Sequence, residues 1–134
     1  MSEQDRRHAE LLAAFGAAFN RHDVDALMSM MTEDCVFFTL AGEGVHGNAL
    51  NGQAAVRAAF EATMRTFPDA RWHQGPIFVA GDRGVSQWTF TGIKSDGTGR
   101  IEAEGCDLFT FRDGRIAVKN AFRKDRPIQP VARG

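Results

Sequence analysis

From residue 71 onward the chain carries four β-type runs separated by tight turn signals, and this feature most constrains its fold. Arg71–Ala80, Val85–Lys94, Arg100–Arg112 and Ile116–Arg123 hold β-branched and aromatic residues without a helical period. Between them stand Gly81-Asp82-Arg83-Gly84, Ser95-Asp96-Gly97 and Asp113-Gly114, the last a strong hairpin signal. Runs joined by turns this short pair antiparallel, so the second half reads as a four-stranded meander. Such a sheet needs apolar cover for its buried face, and the cover must come from the first half.

The first half supplies three helices. Leu11, Leu12, Phe15, Ala18 and Phe19 recur at three- and four-residue spacing and form one apolar stripe, which Asn20-Arg21-His22-Asp23 ends. Asp23 suits the N-cap of a short second helix carrying Val24, Leu27, Met28 and Met31, with Glu33-Asp34 closing it. Cys35–Leu40 reads as a strand, and the glycine-rich stretch from Ala41 to Gly52 as loop. A third helix spans Gln53 to Phe67, with Val56, Ala59, Phe60, Thr63, Met64 and Phe67 on one face, and Pro68 stops it. The layout is α+β: a curved antiparallel sheet wrapped, cone-like, around three N-terminal helices, with a pocket at the open end. One domain covers residues 1–134, and 124–134, with Pro127 and Pro130, forms an extended tail.

Composition removes several function classes. Sixteen Lys and Arg against 17 Asp and Glu leave a net charge of −1, so nothing draws the chain to nucleic acid or an anionic membrane. No apolar run approaches membrane-spanning length, and the polar Met1–His8 segment lacks a secretion signal, so a cytoplasmic protein is expected. Cys35 and Cys106 make neither a disulfide framework nor a zinc site, and no histidines stand at metal-ligand spacing, so no metal or cofactor is expected. With no tyrosine, no phenol can serve as acid or oxyanion donor. A Gly-x-Ser-x-Gly motif is also missing.

Phe19-Asn20-Arg21-His22-Asp23-Val24-Asp25-Ala26-Leu27-Met28 and Met31-Thr32-Glu33-Asp34-Cys35-Val36-Phe37 together resemble the opening of a SnoaL-like domain. Gly52–Phe60 resembles that family's third helix, and Trp88–Gly92 and Phe109–Ile116 its central strands; the likeness covers roughly residues 8 to 123. The family belongs to the nuclear transport factor 2-like superfamily, related to ketosteroid isomerase, so the resemblance implies a cystatin-like cone. It also implies acid/base chemistry or binding at the cone interior. Phe15 stands where ketosteroid isomerase has a tyrosine and Thr39 where it has its base, while Asp107 matches a retained acid. The last-strand aspartate of SnoaL cyclases and limonene epoxide hydrolase falls near Ala121.

The residues themselves single out Asp107. Alternation places Glu102, Glu104 and Cys106 on one strand face and Ala103, Gly105, Asp107, Phe109 and Phe111 on the other. A carboxyl among apolar groups has a raised pKa, which suits a proton donor; the alternative is a buried Asp paired with an arginine or a backbone amide. His73, at the start of a strand, suits a general base or ligand contact, or simply faces solvent. His46 lies in the glycine-rich loop at the cone mouth, and His8 and His22 look exposed. Lys119 and Arg123 share one face of the last strand, opposite Asn120. Facing inward they would put cations beside Asp107 and favour a carboxylate or enolate; facing outward they form a solvated rim, the arrangement favoured by the cost of an unpaired buried cation.

These readings converge on a small cofactor-free enzyme of SnoaL type that isomerises, cyclises or hydrates a hydrophobic carbonyl compound. Asp107 and His73 would carry the chemistry. Phe15, Phe19, Phe37, Thr39, Phe60, Trp88, Phe109 and Lys119 would line the ligand site. A non-catalytic binding or dimerisation module on the same fold is the alternative. The far sheet face, with Leu108, Cys106 and Trp88 or its neighbours, leads to an expected homodimer.

Overall fold

The Ser2 hydroxyl accepts a hydrogen bond from the Asp5 N–H at 3.0 Å and starts the first helix, α1, Glu3–Asn20. The computed structural model describes residues 1–131. The expected stripe of α1 is buried at Leu12, Phe15, Ala18 and Phe19. His8 is buried with it rather than exposed. Its ring stacks on Phe111 at 4.0 Å, and Nδ1 lies 2.8 Å from the Gly81 carbonyl. His22 is half-buried, its Nε2 2.9 Å from the Ala70 carbonyl. Asn20 ends α1 by exchanging two bonds with the Trp72 backbone, at 2.9 and 2.8 Å, which ties the helix to the strand beneath it.

Asp23 caps the second helix, α2, Val24–Ser29, by accepting from the Ala26 N–H. Met31 is not on that helix, and Glu33-Asp34 does not follow it: the first strand, β1, already runs Met31–Phe38. The Met30 carbonyl accepts from Ile116 N–H, so a distant strand captures the chain four residues earlier than local pattern suggests. A three-residue strand, β2, Ala49–Asn51, lies in the stretch expected to be loop and pairs antiparallel with β1. Gly52 takes φ 89°, a left-handed conformation that favours glycine, and opens α3, Gln53–Thr66, which buries Val56 and Phe60.

The meander follows as β3, Arg71–Ala80, β4, Arg83–Ile93, β5, Arg100–Arg112, and β6, Arg115–Arg123. All six strands among the described residues join one sheet in the order β2-β1-β6-β5-β4-β3. The β1–β6 pair is parallel, so the sheet is mixed rather than wholly antiparallel. The fold is the expected α+β cone, with the helices on the concave side. Beyond β6, residues 124–131 return along β5, where Gln129 bridges to Arg100. Residues 132–134 of the expected tail lie outside the described residues.

Two irregularities aim side chains into the cone. The β3–β4 register shifts between Gln74 and Ile77, at Gly75-Pro76. One extra residue there bends the strand, and proline is tolerated because β3 is an edge. The β5–β6 register shifts between Thr110 and Phe111, whose partners are Val118 and Ile116. Ala117 is the extra residue. It puts Ile116 and Lys119 on the same buried face, although they differ by an odd number of positions.

Candidate functional site

Helices and sheet enclose a cavity of about 90 Å³. Phenylalanine rings narrow it. Phe15 lies edge-on to Phe109 at 5.8 Å, Phe19 to Phe60 at 4.9 Å, and Phe37 is 5.3 Å from Phe60. Trp72 packs against Phe19 at 4.9 Å. These rings come from α1, α3, β1, β3 and β5, so each element contributes a wall.

Polar groups enter this apolar space from the central strands. Asp107, on the Phe109 and Phe111 face of β5 as alternation requires, is 7% exposed. Its Oδ2 accepts from Trp88 Nε1–H at 3.0 Å and its Oδ1 from Lys119 Nζ at 3.0 Å. Lys119 therefore faces inward, contrary to the outward arrangement favoured from sequence. The anticipated cost of burying it is met by Asp107 and by rings. Nζ lies 4.6, 5.3 and 5.8 Å from the centroids of Phe37, Phe19 and Phe60. In register, Lys119 stands between Phe37 of β1 and Phe109 of β5, and Asp107 opposes Ala121. The two charges are diagonal neighbours, within reach of a long side chain.

The Asp107 partner is thus a lysine and an indole, not the arginine or backbone amide considered from sequence. Both donors hydrogen-bond its oxygens, and this is the arrangement of a carboxylate, an acceptor first and a donor only after taking a proton. Arg123, on the same face nearer the strand end, sits over Phe90 at 5.5 Å, and burial pulls its guanidinium below its ordinary pKa. Cys106, on the opposite face, has its thiol pushed up by burial and by the Asp107 charge.

Phe15, Phe19, Phe37, Phe60, Trp88, Phe109, Lys119 and Asp107 all line the cavity. Thr39 and His73 do not. Thr39 donates its hydroxyl to the Ala41 carbonyl at 2.8 Å and accepts from Asn48 N–H at 2.9 Å, fastening the loop after β1. His73 is exposed, its Nε2 2.9 Å from the Thr91 hydroxyl, so the structure does not bring it to Asp107. Both instead border a wide hollow of about 770 Å³ that also touches His46, Glu104, Cys106, Asn120 and Phe122. That hollow is larger, yet its polar groups are mostly solvated, and no acid in it is paired with a cation as Asp107 is.

Gln74 and Ser86 are among the cavity residues that a motif-based reading misses. Gln74 Nε2 donates to Ser86 Oγ at 2.9 Å, and both line the cavity. Ser86 had a legible signal: it shares a strand face with Trp88 and Phe90 and is buried there. Gln74 had one too: it stands two residues from Trp72 on the same face of β3, ahead of the bulge at Gly75-Pro76. Among the described residues no three His, Cys, Asp or Glu side chains gather as a metal-ligand set. No described helix is long and apolar enough to cross a membrane.

Comparison with known proteins agrees with the fold. A candidate SnoaL-like polyketide cyclase from Jannaschia sp. CCS1 superposes with a TM-score of 0.80 at 19% identity, covering 92% of this chain and 89% of that one. An NTF2-like protein of unknown function from Mesorhizobium loti is 27% identical, with a TM-score of 0.76 over 93% of this chain and 97% of its own. A protein with a ketosteroid isomerase-like fold from Catenulispora acidiphila, in complex with trimethylamine, gives 0.73 at 15% identity, with 84% of each chain covered. No curated protein matches the chain in sequence. The SnoaL-like domain pattern matches residues 12–119, so the chain belongs to the SnoaL-like domain family.

Proposed function

We propose that the cone binds a small hydrophobic carbonyl compound and moves a proton on it without a cofactor. The observation that carries this reading is the Asp107–Lys119 pair on the cavity wall, whose side chains keep about a tenth of their surface exposed (10% and 9%). A carboxylate beside an ammonium offers the two groups that enolisation needs. Asp107 takes a proton from the carbon next to the carbonyl, and Lys119 faces the oxyanion that forms. The rings exclude water and strengthen both effects. The same proton movement serves isomerisation and aldol-type cyclisation. The test is exchange of α-protons of small ketones in heavy water, followed by NMR. Exchange that Asp107→Asn abolishes supports the reading, and a rate equal to buffer removes it.

A second reading, a non-catalytic binding or dimerisation module, is favoured by the aromatic filling that leaves only about 90 Å³. Trp88 points inward to Asp107, so it drops out of the expected dimer face. Phe122 (48% exposed) and Phe78 (62%) take its place among the apolar groups outside the cone. We infer a homodimer through the outer sheet face. Sedimentation at micromolar concentration checks it, and the 14.7 kDa mass of a single chain would overturn it.

A further inference from the structure

We propose that Lys119 is a nucleophile, whose amine condenses with the carbonyl of a small aldehyde or ketone in the cavity to give an imine. This rests on the carbonyl-binding reading above and goes one covalent step beyond it. Lys94 is partly exposed and Lys124 exposed, while Lys119 is 7% exposed and ends inside the cone. A lysine desolvated in an apolar pocket with a proton acceptor beside it is the setting in which an amine becomes reactive. Three phenylalanine rings keep water from the nitrogen while their faces hold its cation, and Asp107 Oδ1 at 3.0 Å is the base that takes its proton.

The protons balance through Asp107. Its carboxylate takes one proton from the Lys119 ammonium, which frees the nitrogen lone pair. The nitrogen adds to the carbonyl carbon, a C–N bond forms, and the carbonyl π pair moves to oxygen. The nitrogen gives up a second proton to that oxygen, and Asp107 returns the first. The C–O bond then breaks, water leaves, and a protonated imine remains. Ammonium plus carbonyl have become iminium plus water, with no oxidant or reductant. Asp107, again a carboxylate, takes the neighbouring C–H proton to give an enamine.

The walls suit the product as well as the resting state. The iminium carries its positive charge on the atom where the ammonium held it. The Phe37, Phe19 and Phe60 rings and the Asp107 carboxylate therefore stabilise both. A mere structural ion pair has no use for the open space beside it, and here both partners line the cavity.

Acetone suits a cavity of about 90 Å³ and serves as the probe. The wild-type protein is incubated with acetone and sodium cyanoborohydride, digested, and mapped by mass spectrometry. Lys94 and Lys124 act as internal references. We expect isopropyl-lysine at position 119 about tenfold faster than at either reference. We also expect α-proton exchange of acetone in heavy water that Lys119→Arg, which keeps the charge, abolishes. Labelling of Lys119 no faster than of Lys94 and Lys124, with exchange continuing in wild type and in Lys119→Arg, overturns the imine and leaves non-covalent proton transfer standing. The absence of both labelling and exchange overturns both readings. The mapping uses the unmodified chain, so the outcome does not depend on whether a variant folds.

Discussion

Lys119 Nζ lies 3.0 Å from Asp107 Oδ1 and 4.6 Å from the centre of the Phe37 ring, so one ammonium answers both a carboxylate and an aromatic face. Breaking such a pair leaves a charge buried without its partner, at a cost of about 3–5 kcal/mol. Asp107→Leu is therefore expected to destabilise by that order. Asp107→Asn keeps an acceptor and should lose less, about 1–3 kcal/mol. The double variant Asp107→Leu with Lys119→Met should recover most of the stability. Urea denaturation of the three proteins checks this, and a single Leu variant as stable as wild type would show that the pair carries little.

Asp5 anchors the start of α1 to the β3–β4 turn by accepting from Gly81 N–H at 2.9 Å, and that bond is the main reason its carboxyl sits below its ordinary value of 3.8. A carboxyl depressed in the folded state contributes stability above its unfolded pKa and loses it as pH falls through the folded one. Asp5→Ala should thus melt lower than wild type at neutral pH, with the gap closing as the pH falls below the ordinary carboxyl value of 3.8. Calorimetry from neutral pH into acid tests the sign. A gap that widens in acid would contradict it.

Gly105 opposes Trp88 across β4 and β5, and a Cβ there would overlap both the Trp88 ring and the Phe122 backbone carbonyl. Gly105→Ala should push the indole off Asp107 and cost about 1–3 kcal/mol through overpacking. Tryptophan emission should change together with the denaturation midpoint. An unchanged spectrum would mean that the ring yields without leaving the carboxylate.

Steroid isomerase activity should be absent. The cavity of about 90 Å³ is well below the ~300–1,000 Å³ of drug-sized pockets. Phe15 offers no oxyanion donor, and loss of one such donor costs roughly 100- to 1,000-fold. Thr39 spends its hydroxyl on the loop after β1. Absorbance of a 3-keto-Δ5-steroid reports the reaction, and turnover in an ordinary enzymatic range would disprove the assignment.

The sequence by itself determined the features that depend on neighbours along the chain. Alternation put Asp107 on the Phe109 and Phe111 face, the Asp23 cap started α2, and β3 and β5 run between the turns that bound them. The order of the matching segments also determined the family. Only the tertiary structure decided what depends on distant pairing. Alternation ranks the two faces of a strand but does not say which one is inside. In β6 the extra residue at Ala117 reverses the count, and this carries Lys119 into the core. The parallel pairing of β1 with β6 joins residues 31–38 to residues 116–120 and leaves no local trace, yet it brings Phe37 beside Lys119. His8 is buried because a ring and a carbonyl more than seventy residues away receive it, and His73 is exposed because its strand face points away from the helices. A charged side chain is placed inside or outside by the partners that await it, and those partners are assembled only when the sheet closes over the helices.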